Sequence, residues 1–482
     1  MTDPITFGTD GIRGVAGRYP LDPLTVLRIG RAIGRWLGTQ QDDPNARLAV
    51  MIGHDPRISS YMITSGLTAG LLSEGVFVTQ LGIQTTPELA YNACGFSWHG
   101  LMITASHNPH EQNGIKLFAP DGFKLSDEQE RAIETLIASA DIDADVTQFN
   151  QAATLLSADG YQKHLLQYGQ FPFDLSGLKV VLDCANGAAS HNAAQIFSAA
   201  GAVVIASNNN EDGTTINDHA GSEHVRRDRS ALLAAIREHN AELGIAFDGD
   251  ADRVVFVTPD GLLIDGDHTL GILALQMQAA DQLPLNTVVA TDMSNSGLEH
   301  FLRDHGITLE RTAVGDRYVM ERMRAGGFAL GGEQAGHVII LDDEHTAGDG
   351  LYIGLLIAGL AAKNKREHGV TLSELAAQIP RYPQVIASAH LGRRIDLASV
   401  AELADLRSSI LRAFDGKGRV NVRFSGTEPG LLRAMIEGGP SNDLAEVVRH
   451  ALSVCKLIAT AADSPNPRID IVDCVTGAPI NL

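Results

Sequence analysis

Short runs of β-branched and apolar residues alternate with stretches of helical period along most of this chain, the pattern of α/β domains with parallel or mixed sheets. Residues 48–52 read as a strand, 59–73 as a helix and 76–81 as a strand. Residues 101–104 form a strand that runs into a polar turn at Ser106. A polar helix over 127–138 is entered through Ser126, with Gln129 three residues on, the spacing of a capping box. The mixed polar stretch 140–157 reads as a linker.

The pattern then restarts, with strands predicted at 179–183, 203–206 and 243–247 and helices at 188–200 and 230–239. It restarts again with a helix over 268–279, a strand at 288–291 and helices at 297–305 and 317–324. A loop at 331–337, a strand at 338–341 and a long apolar helix near 351–363 complete that unit. The last stretch differs: strands at 420–423 and 432–437 around a turn at 425–429, then a helix at 444–459, a smaller α+β domain. The tail 464–482 reads as an extension rather than core.

At 482 residues the chain is too long for one core. The restarts divide it into three α/β domains, 1–155, 156–257 and 258–370, and a C-terminal α+β domain, 371–482. Each carries one unusual loop at a strand end, where open α/β sheets place their ligands. One loop per domain implies a single site in a central cleft.

The first loop is Thr104-Ala105-Ser106-His107-Asn108-Pro109. Alone it describes a plain turn, and without G-x-S-x-G it is no esterase elbow. His107 adjoins Ser106, so its expected task is a hydrogen bond that fixes the loop. A serine hydroxyl with no evident base becomes useful when it carries a phosphoryl group that a metal neutralises. The second loop, Asp248-Gly249-Asp250-Ala251-Asp252-Arg253, sets three carboxylates at every second position with small spacers. Such hard oxygen ligands suit Mg²⁺, and phosphorylated Ser106 would add a further oxygen to the ion held by Asp248, Asp250 and Asp252. The third, Gly331-Gly332-Glu333-Gln334-Ala335-Gly336-His337, offers Glu333 and His337 to sugar hydroxyls. The fourth, Arg423-Phe424-Ser425-Gly426-Thr427, sets a guanidinium, two hydroxyls and backbone N–H groups around the Gly426 turn, a cradle for a phosphate dianion.

Net charge of −21 argues against a nucleic-acid surface. No apolar run is long enough to span a membrane, and Met1-Thr2-Asp3-Pro4 lacks the basic and apolar regions of a signal peptide. Cys94, Cys184, Cys455 and Cys474 form neither a C-x-x-C pair nor a zinc spacing and read as reduced cytoplasmic thiols. Neither a Walker loop nor G-x-G-x-x-G occurs, which sets aside ATP and dinucleotide readings.

Taken in order, Phe7–Gly14, Thr104–Pro109, Asp248–Arg253 and Arg423–Pro429 resemble the motifs of the α-D-phosphohexomutase superfamily, over about residues 5–460. Val314-Gly315-Asp316-Arg317-Tyr318-Val319 and Gln334 are similar to its glucosamine-phosphate branch. The resemblance implies four domains around one cleft, one Mg²⁺ per subunit, phosphorylated Ser106, a hexosamine or glucose 1,6-bisphosphate activator and a homodimer through the first domain. It implies that phospho-Ser106 passes its phosphoryl group to O1 of glucosamine 6-phosphate, that the 1,6-bisphosphate turns around, and that glucosamine 1-phosphate leaves. It further implies that Arg13 and Lys116 lie near the transferring phosphate, with Lys116 as general acid/base, that Arg253 steadies the phosphoserine, and that the product feeds amino-sugar supply for the cell wall. Two positions depart from the family pattern: Ala335 replaces a Ser, and Ala251 replaces a Gly, which negative φ would accommodate. The alternatives at this point are a phosphomannomutase/phosphoglucomutase with the same mechanism, a Mg-dependent sugar phosphatase, and an idle sugar-phosphate-binding paralogue.

Overall fold

The computed structural model describes residues 4–8, 10–40, 47–139, 146, 149–154, 160–167, 174–391, 393–415, 417–424, 430–464, 467–474 and 479–480. Two compact units result: Met1–Val225 with Arg229–Met293 and His305–Ala376, and Arg226–Asp228 with Ser294–Asp304 and Ala377–Leu482.

The first unit is built on three sheets. One joins β1 (Ile12–Val15), β2 (Ala49–His54), β3 (Phe77–Ile83), β4 (His99–Ile103), β5 (Gln112–Phe118) and β6 (Ala152–Thr154) in the order β1-β5-β4-β2-β3-β6. The β2, β3, β4 and β6 strands run parallel, and β1 and β5 antiparallel to their neighbours. Every residue of β2 is buried, as expected of a central parallel strand covered on both faces. Helix α1 (Pro23–Thr39) starts on Asp22, whose side chain accepts from the Thr25 N–H, with Pro23 at the first position. It packs on α2 (Ile58–Leu72) so closely that a Cβ on Gly70 would stand 2.3 Å from the Leu27 carbonyl oxygen. Helix α3 (Thr86–Phe96) is capped by Thr85. Helix α4 (Asp127–Ala138) carries the expected capping box between Ser126 and Gln129.

The second sheet joins β7 (Lys179–Asp183), β8 (Val203–Ser207), β9 (Leu243–Phe247), β10 (Val254–Val257) and β11 (Leu263–Ile264) in the order β11-β10-β9-β7-β8. The third joins β12 (Thr287–Thr291), β13 (Thr308–Thr312), β14 (Leu330–Gly332) and β15 (Val338–Ile340) in the order β13-β12-β14-β15. Each of these two sheets ends in an antiparallel hairpin. Phe247 pairs with Val254 and Gly332 with Val338, so residues 248–253 and 333–337 are the hairpin loops. The Val254 N–H donates to the Gly336 carbonyl at 3.1 Å, which ties the two loops together.

The second unit has one antiparallel sheet, β16 (Gln384–His390), β17 (Arg419–Phe424), β18 (Leu431–Glu437) and β19 (Ile469–Asp473), ordered β17-β18-β16-β19. The helix Leu444–Ala461 supplies Val447, Val454 and Ile458 to its core.

Four sequence expectations are corrected. The tail is not a mere extension: β19 pairs with β16 from Val385↔Asp473 to Ala389↔Ile469, and Ile471 and Cys474 are buried. The linker lies partly outside the described residues, and within it β6 is an edge strand on β3. The helix expected over 188–200 is a single 3₁₀ turn, Ala188–Ser190, and a short helix, Ala193–Ala199, because Asn192 at φ −139° breaks the run. Gly331 and Gly332 belong to β14 rather than to a loop, paired with Ile339 and Val338, and a Cβ on Gly331 would strike Met323 Sδ at 2.5 Å.

Candidate functional site

Leu101, Met102 and Ile103 are wholly buried, at about 1.5–3 kcal/mol per side chain, and so fix the strand that delivers Ser106. The turn beyond is pinned from three sides. The Ser106 N–H donates to Thr104 Oγ1 at 2.8 Å, and that hydroxyl donates to Asp55 Oδ2 at 2.7 Å. Arg57 Nη2 donates to the carbonyls of Ser106 and Asn108 at 3.0 and 2.7 Å, and Asn217 Nδ2 donates to the same two at 2.8 and 3.0 Å. Ser106 itself sits at φ 51°, a left-handed backbone that a non-glycine residue holds only when its surroundings enforce it. Its hydroxyl donates to Asp248 Oδ2 at 2.6 Å.

Asp248, Asp250 and Asp252 converge in the β9–β10 loop, each presenting a carboxylate oxygen within 4.8 Å of the others. All three are buried. Among the described residues, Asp250 Oδ1 and Asp252 Oδ1 have no hydrogen-bond partner, and burial together with Asp252 and Asp250 pushes the Asp248 carboxyl well above its usual range. Buried carboxylates with unsatisfied oxygens turned to one point fit a hard divalent cation. The negative φ that would accommodate Ala251 is not what the loop adopts: it stands at φ 56° with a buried methyl. The tight hairpin requires that turn, which lets its N–H donate to the Asp248 carbonyl at 3.1 Å and its carbonyl accept from the Gly350 N–H at 2.9 Å. The left-handed cost for a residue with a Cβ is about 1–2 kcal/mol.

Lys116 lies opposite Met102 in the β4–β5 ladder, which turns its ammonium into the same space. Its Nζ stands 2.9 Å from Asp250 Oδ2, 3.5 Å from Asp252 Oδ2 and 3.2 Å from Asp10 Oδ2. Burial works against the charge, but Asp10, Asp250 and Asp252 outweigh it and hold Lys116 protonated far above neutrality. Thr86 Oγ1 donates to Asp250 Oδ2 at 2.6 Å. Arg13 on β1 donates through Nη1 to the Ala105 carbonyl at 2.6 Å and pairs with Asp10.

His107 Nδ1 accepts from Arg253 Nη1 at 2.9 Å and lies 3.3 Å from Ser106 Oγ. Burial, then the Arg253 charge, lower the imidazole to about 4. His107 is thus a neutral acceptor for Arg253, while the serine proton points at Asp248. Arg253 also meets Asp252 at 3.9 Å and Glu223 at 3.8 Å.

In the β14–β15 loop, His337 bridges Asp252 at 3.6 Å and Asp316 at 3.7 Å. Burial opposes its charge, but Asp252 and Asp316 raise its pKa above the ordinary imidazole value. Glu333 accepts from the Gly315 N–H at 3.2 Å. Gln334 is buried with its amide 3.2 Å from Asp267 Oδ2 and its carbonyl accepting from the Gly266 N–H. It therefore anchors the loop to the helix Gly266–Ala279, with Ala335 half-buried beside it. A cavity of about 230 Å³ opens here, walled by Thr86, Lys124, Asp252, Asp316, His337 and Arg317.

Arg423 belongs to the second unit, at the Arg433 register position of β17 and β18. Ser425, Gly426 and Thr427 lie outside the described residues.

The network also contains residues that the sequence pattern did not single out. Lys124 Nζ bonds Asp10 Oδ1 at 2.8 Å and Asp316 Oδ2 at 2.5 Å, and buried Arg57 is paired with Asp55 at 2.9 Å. Asp10 and Asp316 stand inside the motifs Phe7–Gly14 and Val314–Val319. His54-Asp55-Pro56-Arg57 follows a strand, the same signal that exposed Ser106.

Family models for phosphoglucomutase/phosphomannomutase match in chain order: α/β/α domain I over residues 4–143, domain II over 159–261, domain III over 265–382 and the C-terminal domain over 389–453. The phosphoglucosamine mutase of Citrifermentans bemidjiense is 42% identical over 458 residues, covering 92% of this chain and 98% of that protein. That of Paracoccus denitrificans is 43% identical over 460 residues, covering 94% and 99%. Among solved structures, a phosphoglucomutase/phosphomannomutase family protein from Burkholderia thailandensis superposes with a TM-score of 0.77 at 24% identity, over 97% of this chain and all of that one. An Aspergillus fumigatus N-acetylphosphoglucosamine mutase, in complex with GlcNAc-6P and magnesium, gives 0.61 at 18% identity over 95% and 96%. With its four domain models in order and relatives alike along nearly their whole length, the chain belongs to the phosphoglucomutase/phosphomannomutase family, the α-D-phosphohexomutases, and is an enzyme of that mutase class.

Proposed function

We propose that the chain interconverts glucosamine 6-phosphate and glucosamine 1-phosphate through phosphorylated Ser106 and a 1,6-bisphosphate. The observation that carries this is the 2.6 Å contact of Ser106 Oγ with the buried carboxylate triplet. The choice of sugar is supported by the phosphoglucosamine mutase relatives at 42–43% identity.

Asp248, Asp250 and Asp252 hold Mg²⁺ in this reading, and the ion supplies positive charge to the phosphoryl oxygens. Arg13 and Arg253 face the same phosphate. Transfer breaks the P–Oγ bond of phospho-Ser106 and forms a P–O bond at the sugar hydroxyl. The hydroxyl proton passes in net to Ser106 Oγ, with the Lys116 ammonium as relay: it gives a proton to the departing serine oxygen and takes one from the sugar. The bisphosphate then reorients and the second transfer runs in reverse. Positioning and charge do most of the work in such chemistry. Burial of Ser106 keeps water from the phosphoryl group. Glu333 and His337 bind sugar hydroxyls, Gln334 and Ala335 shape their loop, and Arg423, Ser425, Gly426 and Thr427 cradle the phosphate that is not reacting. The enzyme then works in the cytoplasm on cell-wall amino-sugar precursors.

The test is kcat/KM for glucosamine, glucose and mannose phosphates, with Mg²⁺ and a trace of 1,6-bisphosphate. A preference for glucosamine phosphates is expected. A preference for glucose or mannose would overturn the substrate assignment, and stoichiometric phosphate release would overturn the mutase reading.

A further inference from the structure

Six side chains of the first unit close a ring in which carboxylates and basic groups alternate. Asp10 Oδ1 meets Lys124 Nζ at 2.8 Å, and the same ammonium meets Asp316 Oδ2 at 2.5 Å. His337 spans the next gap, 3.7 Å from Asp316 and 3.6 Å from Asp252. Lys116 closes the circuit, 3.5 Å from Asp252 Oδ2 and 3.2 Å from Asp10 Oδ2.

Within this ring the backbone sets Asp10 beside Lys116. The Gly8 N–H donates to the Gly11 carbonyl at 3.0 Å and closes the turn, and β1 then pairs Ile12 with Ile115. Gly11, at φ 88°, lies so near β5 that a Cβ there would stand 2.3 Å from the Ile115 carbonyl oxygen and 3.3 Å from Lys116 Cα. One oxygen of Asp10, Oδ2, meets both Lys116 Nζ and Arg13 Nη2, while Oδ1 meets Lys124. Two cations aimed at one phosphate repel each other before the phosphate arrives. A carboxylate between them offsets that repulsion and fixes both, so that little reorganisation is left for the moment of reaction. Burial opposes the charge on Asp10, but Lys116, Lys124 and Arg13 outweigh it and hold the carboxyl well below its ordinary range. Lys124 is held in turn by Asp316, in the first turn of the helix Asp316–Gly326, where the positive end of the helix favours a carboxylate.

We propose that Asp10 is a positioning residue for phosphoryl transfer: it holds Arg13 and Lys116 at the separation the transferring phosphate needs, with Lys124 and Asp316 as its anchor. The assignment rests on the mutase reading above, in which those two cations face the phosphate. Asp10 acts through them rather than on the reacting atoms. With its charge removed, Lys116 is drawn toward Asp250 and Asp252, and Arg13 is left to the Ala105 carbonyl. The two cations then no longer converge.

The experiment measures kcat and KM of the full-length protein with Mg²⁺ and a trace of 1,6-bisphosphate, on whichever of glucosamine, glucose or mannose phosphate the wild type turns over fastest. Asp10→Asn keeps the shape and is expected to lower kcat about 100-fold, as a shift of about 1 Å at reacting groups does, with KM close to that of wild type. Lys124→Met is expected to lower kcat less, again at nearly constant KM. Lys124→Arg, which keeps the charge, is expected to recover most of that loss. Melting curves show whether Asp10→Asn is folded, and the Lys124 pair tests the same arrangement from the far side of Asp10. Wild-type kcat in folded Asp10→Asn, a fall matched by an equal rise in KM, or no recovery in Lys124→Arg would each overturn the proposal. Failure of the mutase reading shows elsewhere, as turnover that persists in Ser106→Ala, and would overturn the proposal with it.

Discussion

The carbonyl oxygen of Ser106 lies 2.4 Å from the point where a Cβ on Gly249 would stand. The Ser106 turn and the aspartate loop are thus in backbone contact, and a glycine makes that approach feasible. Asn217 Nδ2, which holds the Ser106 carbonyl, is 2.9 Å from the same point. Gly249→Ala is expected to force the turn and the loop apart, at about 1–3 kcal/mol of stability. Because a shift of about 1 Å at reacting groups costs about 100-fold, kcat is expected to fall much further than thermal stability. Thermal unfolding and steady-state kinetics on the same preparation check this; wild-type kcat would show that the contact is dispensable.

Ser106→Ala is expected to abolish mutase turnover and leave the fold intact. The change leaves Asp248 Oδ2 without its hydroxyl donor, a loss of about 1–3 kcal/mol at a buried site. Mass spectrometry after incubation with sugar 1,6-bisphosphate is expected to find one phosphoryl group on wild type and none on the variant. Turnover at the wild-type rate would sink the phosphoserine mechanism.

Much of this site could be read from the chain, for a physical reason. Asp248 follows a fully buried strand and Ser106 one buried from Gly100 to Ile103, and a polar cluster soon after such a run marks a strand-end loop. The ends of β7, β9 and α4 fell where periodicity and capping put them. Long-range pairing was not legible. Nothing local shows that 469–473 adds a strand to a sheet begun some eighty residues earlier, or that Lys124 closes an ion network with Asp10 and Asp316. The positive φ of Ala251 was not legible either, because alanine seldom takes it; here the loop's backbone hydrogen bonds impose it.

Lys116 pairs with Asp250 and Asp252, beside Arg253 and His337 at Asp252. Lys116→Met removes that charge from buried Asp250 and Asp252 and from half-buried Asp10. Breaking a buried pair in this way costs about 3–5 kcal/mol. The variant is therefore expected to be much less stable than wild type in chelator and to recover part of the loss in Mg²⁺. Melting curves with and without Mg²⁺ check this; equal losses in both would show that the ion does not occupy the triplet.

Chelation of the wild-type enzyme is expected to abolish activity and lower the melting temperature, both restored by Mg²⁺. An ion at 100 times its dissociation constant stabilises the fold by about 2.7 kcal/mol. Asp250→Asn is expected to lose most activity and most of this Mg²⁺-dependent gain in melting temperature while remaining folded. A full gain in that variant would place the ion elsewhere.

Glu88, near the start of α3, gives the fold a pH dependence of its own. Burial, with Asp349 adding to it, raises its carboxyl to about 8, against the hydrogen bonds from Thr85 and Asn192. In the unfolded chain the group titrates near 4.3. Between about pH 4.3 and pH 8 the folded state therefore holds a proton that the unfolded state has released. Stability contributed by this group is accordingly complete below about pH 4.3, declines as pH rises through the window, and is gone above about pH 8. Glu88→Gln keeps the shape and removes the titration. The variant is expected to match wild type near pH 4 and to exceed it in stability by a few kcal/mol near pH 9, because each tenfold difference in proton affinity between folded and unfolded chain is worth roughly 1.36 kcal/mol. Urea unfolding at both ends of the window measures the difference. Parallel stability curves for the two proteins would mean that Glu88 is ionised inside the fold.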